Sequence, residues 1–281
     1  MIRLSGEVIM ADVFANPILR SGLHVASAWD GFGTIGMLCL DGRGTMVALT
    51  SNRVIATDEY GTLPSVRGVV TLGPAFALEA APHPHHLPAT ALITALPVDA
   101  GVRVSASVAG LEAARHCWSL RAAEHERLYL ARLEGPVPLG VLSAIHASAY
   151  LETVEGRQSY FDAAEIELTG CDVLRPGDAG GLVMTREGAP VGLLVGARGT
   201  TAILAPLAEI LQASGFLPLT PFEAARHERA VIDRAADRAL DRQAEAELSA
   251  SYAPELDQLP ATSRSSDEIR AKHEDMFANA A

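Results

Sequence analysis

Three kinds of side chain in this sequence could do chemistry. The first is the histidine group His83-Pro84-His85-His86, since clustered imidazoles bind zinc, copper or nickel. The prolines around it favour an extended, exposed loop. His83, His85 and His86 are therefore weak metal candidates, and the expectation is no metal and no cofactor. The second kind is thiol. Cys39, Cys117 and Cys171 are odd in number and widely separated, which suits reduced, buried thiols better than a disulfide framework. A reactive thiol also needs a cation or imidazole beside it. His116 adjoins Cys117 in sequence, but neighbouring strand residues point to opposite faces. The third kind is hydroxyl: Thr50 and Ser51 have no general base evident beside them. A glycine-rich run, Arg175-Pro176-Gly177-Asp178-Ala179-Gly180-Gly181, adds turn chemistry between two apolar stretches.

These groups must be positioned by short strands. Gly33–Leu40, the turn Asp41-Gly42-Arg43-Gly44 and Thr45–Thr50 read as a β-hairpin. Further short apolar runs predict strands over 68–72, 91–96, 102–108, 128–133, 137–145, 165–168, 181–185, 191–195 and 201–204. The fold class expected is mostly β. The block from about 30 to 215 has room for two tandem barrels of six-stranded type, with a helix at Ala205–Leu211 packed back on them. The organisation expected is a lead-in at 1–29 with a short helix near Val8–Phe14, a double-barrel domain at 30–217, and an acidic helical extension at 218–281. Within that extension, Phe222–Ser249 predicts a helix with a thin apolar face, including Val231 and Ile232. A linker near Tyr252–Ser266 and a last short helical segment at Asp267–Asn279 follow.

The run Pro176-Gly177-Asp178-Ala179-Gly180-Gly181 with Val191-Gly192-Leu193 resembles the Gly-Asp-Ser-Gly-Gly nucleophile segment of trypsin-like serine proteases, with alanine in place of serine. Upstream, Leu49-Thr50-Ser51-Asn52-Arg53-Val54-Ile55 is similar to the segment that carries that family's general base, with Arg53 in place of histidine. Val98-Asp99-Ala100 resembles the segment that supplies the aspartate. Gly33-Thr34-Ile35-Gly36 and Pro206–Leu211 also match in order. Together they resemble a bacterial branch of the family related to the plant narrow-leaf protein, over residues 30–215. The resemblance implies a degenerate triad at Arg53, Asp99 and Ala179, with an Arg53–Asp99 salt bridge where a His–Asp pair stood. It also implies an oxyanion-type backbone site at Gly177, Asp178 and Ala179.

Alanine has no nucleophile, and arginine stays protonated and accepts no proton. The expectation is thus an inactive protease homologue acting as a binding or scaffolding protein, with a protein or peptide partner or a second copy of itself. Two alternatives stand beside it. One is an active serine-type hydrolase whose nucleophile lies elsewhere or was replaced by alanine in an engineered variant; the other is a structural subunit of a larger assembly. With 22 basic against 34 acidic residues and a formal charge of -12, the chain lacks the phosphate attraction that drives nucleic-acid binding. It carries neither a secretory-type leader nor a membrane-length apolar run, and the location expected is cytoplasmic.

Overall fold

The computed structural model describes residues 18–27, 32–51, 54, 69–71, 77–78, 93–108, 117–153, 156–170 and 172–256. The short helix expected near Val8–Phe14 and the segment Asp267–Asn279 lie outside them. The chain divides into two compact units, residues 1–235 and 236–281.

The amino-terminal half of the first unit holds two four-stranded antiparallel sheets. One comprises β1 (His24–Ser27), β2 (Phe32–Thr34), β5 (Val69–Thr71) and β6 (Ala77–Leu78), in the order β2-β1-β5-β6. The other comprises β3 (Met37–Leu40), β4 (Met46–Ser51), β7 (Ile93–Pro97) and β14 (Leu217–Pro218), in the order β14-β3-β4-β7. The expected β3–β4 hairpin forms for a local reason. The Asp41 carboxylate accepts the amides of Arg43 and Thr45 at 2.8 and 2.7 Å, and Gly44 takes φ +79°. Apolar side chains then fill both faces: β4 is buried throughout.

The carboxy-terminal half is a closed six-stranded barrel of β8 (Arg127–Arg132), β9 (Gly135–Thr153), β10 (Gly156–Leu168), β11 (Leu182–Met184), β12 (Pro190–Arg198) and β13 (Thr201–Pro206). Its core is built from Leu128, Leu130, Leu139, Ile166, Val183, Leu194 and Leu204. Strands β9 and β10 run far past the lengths expected from their apolar stretches. Their pairing continues out to Thr153↔Gly156, with register shifts beside His146 and Asp162, which take φ +52° and +54°. The polar Gly156-Arg157-Gln158-Ser159 hid this extension from a hydrophobic reading. Conversely, 102–108 is not a strand. Val104 makes only an isolated bridge to Leu19, and the segment instead supports a helix.

That helix is α2 (Pro221–Leu256), preceded by α1 (Leu207–Ser214), which buries Leu207, Ile210 and Leu211 and stops at Gly215 with φ +69°. A reciprocal cap starts α2. Glu223 accepts from the Thr220 amide and hydroxyl at 3.0 and 2.8 Å, the Glu223 amide donates to Thr220 Oγ1 at 3.2 Å, and Pro221 fills the first turn. The helix is longer than expected and takes in Tyr252–Leu256, read above as linker. Its first turns dock within the first unit: Ala224 joins the core of Leu38, Met46, Ala48, Leu96 and Val98, and Val231 is buried. Glu228 pairs with Arg103, and His227 Nε2 donates to the Val102 carbonyl at 2.8 Å. Val231→Ala should lower unfolding free energy by about 2 kcal/mol in urea titrations. Phe222→Ala, at a side chain left 76% exposed, should change it by less than about 0.5 kcal/mol.

Candidate functional site

Two successive β-turns shape the 175–181 loop. In the first, the Asp178 amide donates to the Arg175 carbonyl at 3.1 Å; in the second, the Gly181 amide donates to the Asp178 carbonyl at 2.9 Å. Gly177 and Gly180 hold the third positions with φ +93° and +87°, as type II turns require. Asp178, shared by both turns, is buried. Its carboxylate accepts Arg132 Nε at 3.0 Å, Arg132 Nη2 at 2.6 Å and the Arg175 amide at 2.7 Å. Arg132 Nη2 also donates to the Val173 carbonyl at 2.7 Å. The charge is therefore paired and the lone pairs are used, which is the condition for keeping a carboxylate out of water.

The loop rests against the amino-terminal sheets. The Thr34 amide donates to the Ala179 carbonyl at 2.7 Å, and the Thr34 hydroxyl donates to the Gly177 carbonyl at 2.6 Å. Thr50 Oγ1 donates to the Thr34 carbonyl at 2.8 Å, at the end of β4. A Cβ on Gly180 would stand 2.3 Å from Thr50 Oγ1 and 2.4 Å from the Thr34 carbonyl oxygen. One on Gly33 would stand 2.2 Å from the Val54 side chain. Only glycine fits these approaches. The described residues 33–36, 50–51, 54 and 177–181, from the segments that carry the sequence resemblance, thus converge in space. Ala179 sits at the junction with a methyl group, partly buried among the amino-terminal core. Among the described residues, the Gly177 and Ala179 amides have no acceptor. Ser51 is fully buried, with a hydroxyl that finds no hydrogen-bond partner.

His24 at this junction escaped the sequence reading. Its Nδ1 lies 3.2 Å from Thr34 Oγ1. The single Thr34 proton goes to the Gly177 carbonyl, so Nδ1 must carry the donated hydrogen, and in the neutral ring Nε2 keeps its lone pair. The ring packs 5.4 Å from that of Phe32, and the Phe32 ring fills the space a side chain at 177 would need. Nothing local marks His24; its place comes from the β1–β2 register, which sets it opposite Thr34.

Asp99 stands away from the glycine loop. In the antiparallel β4–β7 ladder, Ser51 pairs with Ile93 and Val47 with Pro97. Asp99 follows Pro97 and so stands past the Val47 end, whereas the Ser51 end, next to Thr50, meets Thr34 and the glycine loop. Those two ends are about 13 Å apart along the strand. The Asp99 carboxylate is exposed and closes its own turn on the Gly101 amide at 2.6 Å. It does not belong to the junction. Arg53 itself, His83, His85, His86, His116 and Cys171 lie outside the described residues. Among the described residues no group of three metal-ligating side chains occurs.

Cys39 and Cys117 are free thiols that pack on one core. Burial pushes Cys39 far up, with a smaller push from Cys117, and burial raises Cys117 from 9.0 to about 11. They are inert rather than nucleophilic.

No protein-family model matches the sequence, and no curated protein does. Solved structures do match. The Nocardiopsis protease shares 12% identity over 73% of this chain and 100% of its own, with a TM-score of 0.50. Thermobifida fusca protease A gives 12%, 73% and 100% with a TM-score of 0.49, and Cellulomonas bogoriensis chymotrypsin 19%, 72% and 100% with 0.43. At TM-score 0.50 the first shows the fold: a chymotrypsin-like double β-barrel followed by a carboxy-terminal helix.

Arg132→Met, which strands the buried Asp178, should cost about 3–5 kcal/mol by denaturant unfolding, and Arg132→Met with Asp178→Leu should recover much of that loss. The thiols predict a pH effect. Their folded pKa values lie above the unfolded ones, so unfolded chains release these protons first. Stability should be full below pH 9.0, fall between 9.0 and about 11, and fall less in Cys117→Ser.

Proposed function

We propose that this chain is a catalytically inactive homologue of trypsin-like serine proteases that binds an extended peptide or protein segment. The observation that carries the reading is the methyl of Ala179 at the junction of the glycine loop with the end of β4. A hydroxyl there would be the nucleophile, and the base position in sequence, Arg53, holds a side chain that accepts no proton. What is left of such a site is suited to binding. The Gly177 and Ala179 amides offer two donors for a carbonyl or carboxylate oxygen. Beside them, β12 pairs with β13 out to Arg198↔Thr201 but with β11 only to Leu193↔Leu182. Among the described residues the stretch 196–198 therefore has no ladder partner on the β11 side, and an extended segment can add there as a strand.

The narrow-leaf-like branch, a cytoplasmic setting and self-association belong to the same proposal. They rest on the sequence motifs, the unpaired thiols and the acidic composition. Among the described residues no helix is long and apolar enough to cross a membrane.

The test uses the full chain with a fluorophosphonate probe and a peptide library. The wild type should show neither labelling nor cleavage, and should retain a subset of peptides. Arg53→His with Ala179→Ser should gain probe labelling at least about a hundredfold above the wild-type background. Wild-type labelling or cleavage would overturn the inactive reading, and failure to retain any peptide would overturn the binding role.

A further inference from the structure

A cavity lies against α2, remote from the Ala179 loop in sequence and built from different elements. Arg226, His227, Ala230 and Arg234 recur at helical spacing and share one face. With Leu40, Met46 and Val98 across from them, they enclose about 380 Å³. That lies within the range of small-molecule sites, roughly 300–1,000 Å³. The space exists because two wall residues are small: Ala230 on the helix and Gly44 in the β3–β4 turn.

The cavity is amphipathic in an ordered way. Leu40, Met46 and Val98 make an apolar floor, of which Met46 and Val98 belong to the buried core. Two guanidinium groups line the opposite wall. Arg234 is anchored by an Nη2 donation to the Ala100 carbonyl, which fixes where its guanidinium stands on that wall. Arg226 has no ion-pair partner among the described residues, because the acids near it are engaged. Glu223 caps the helix through Thr220, and Glu228 pairs with Arg103. Two arginines kept on one wall stand out in a chain of net charge -12, whose general field repels anions. The Glu223 carboxylate on the same wall disfavours a second negative charge on a ligand.

We propose that this cavity binds a monocarboxylate with a compact apolar body. The carboxylate lies on Arg226 and Arg234, whose planar forks match its geometry, and the hydrocarbon covers Leu40, Met46 and Val98. The inference stands apart from the fate of the protease-like site.

The experiment titrates the full chain with octanoate, with octanamide as the uncharged control, by calorimetry and by chemical-shift mapping. Octanoate should bind saturably at one site, more tightly than octanamide. Arg226→Gln with Arg234→Gln should weaken octanoate by roughly three- to tenfold and bring it level with octanamide. Ala230→Phe, which fills the cavity from the helix side, should abolish binding while leaving the thermal midpoint unchanged or raised. Arg226→Gln alone, at an exposed side chain outside the core, guards against a folding defect and should show part of the loss. Absence of saturable octanoate binding, equal affinity for octanamide in the wild type, or full affinity in Ala230→Phe would each overturn the proposal.

Discussion

The buried ion pair of Arg132 with Asp178 fixes the loop on which the site depends. Arg132 ends β8 of the closed barrel, so its guanidinium is held by a rigid ladder; Asp178 is the residue common to both turns of the loop. Locking that one carboxylate sets the direction of the peptide units on either side of it, and hence where the Gly177 and Ala179 amides point. A loop of this glycine content would otherwise sample many conformations, because glycine loses more backbone freedom on ordering than any other residue. The pair offsets that loss with charge-assisted hydrogen bonds in a place closed to water.

A second constraint joins this loop to the other half of the fold. Thr34 uses its amide on Ala179 and its hydroxyl on Gly177, while Thr50 supports the Thr34 carbonyl from the end of β4. The chain of bonds leaves no room for a side chain at 180 or 33. It also recruits His24, whose tautomer follows from the direction of the Thr34 hydroxyl. These bonds hold the glycine loop, Thr34 and the end of β4 together around the methyl group of Ala179.

The helix α2 shows how a segment of low apolar content earns a place in a fold. Its hydrophobic stripe is thin, yet Ala224 reaches the core, Val231 is buried, and polar side chains complete the docking: Glu228 on Arg103, His227 on the Val102 carbonyl, Arg234 on the Ala100 carbonyl. The partner is the non-strand segment after β7. The Ala100 and Val102 carbonyls go to the helix, and the Arg103 carbonyl accepts the Leu19 amide in an isolated bridge.

Local chemistry in the sequence determined the elements whose causes are local. Asp41 and Gly44 specify the β3–β4 turn, Thr220, Pro221 and Glu223 specify the start of α2, and Pro176 with the glycines specifies the loop at 177–181. The motif order was also enough to expect a double-barrel fold. The tertiary structure decided everything that depends on register and on distant partners. Asp99 looked like a site residue because its neighbours in sequence suited it, but the antiparallel pairing of β4 and β7 sends it to the far end of the ladder. His24 carried no signal until β1 and β2 set it opposite Thr34. Arg132 read as one more strand residue, although its partner lies 46 positions on. The cavity against α2 appears only once that helix docks. A sequence records which side chains are available and how neighbours turn the chain; strand register and packing, fixed by the whole core at once, decide which of them meet.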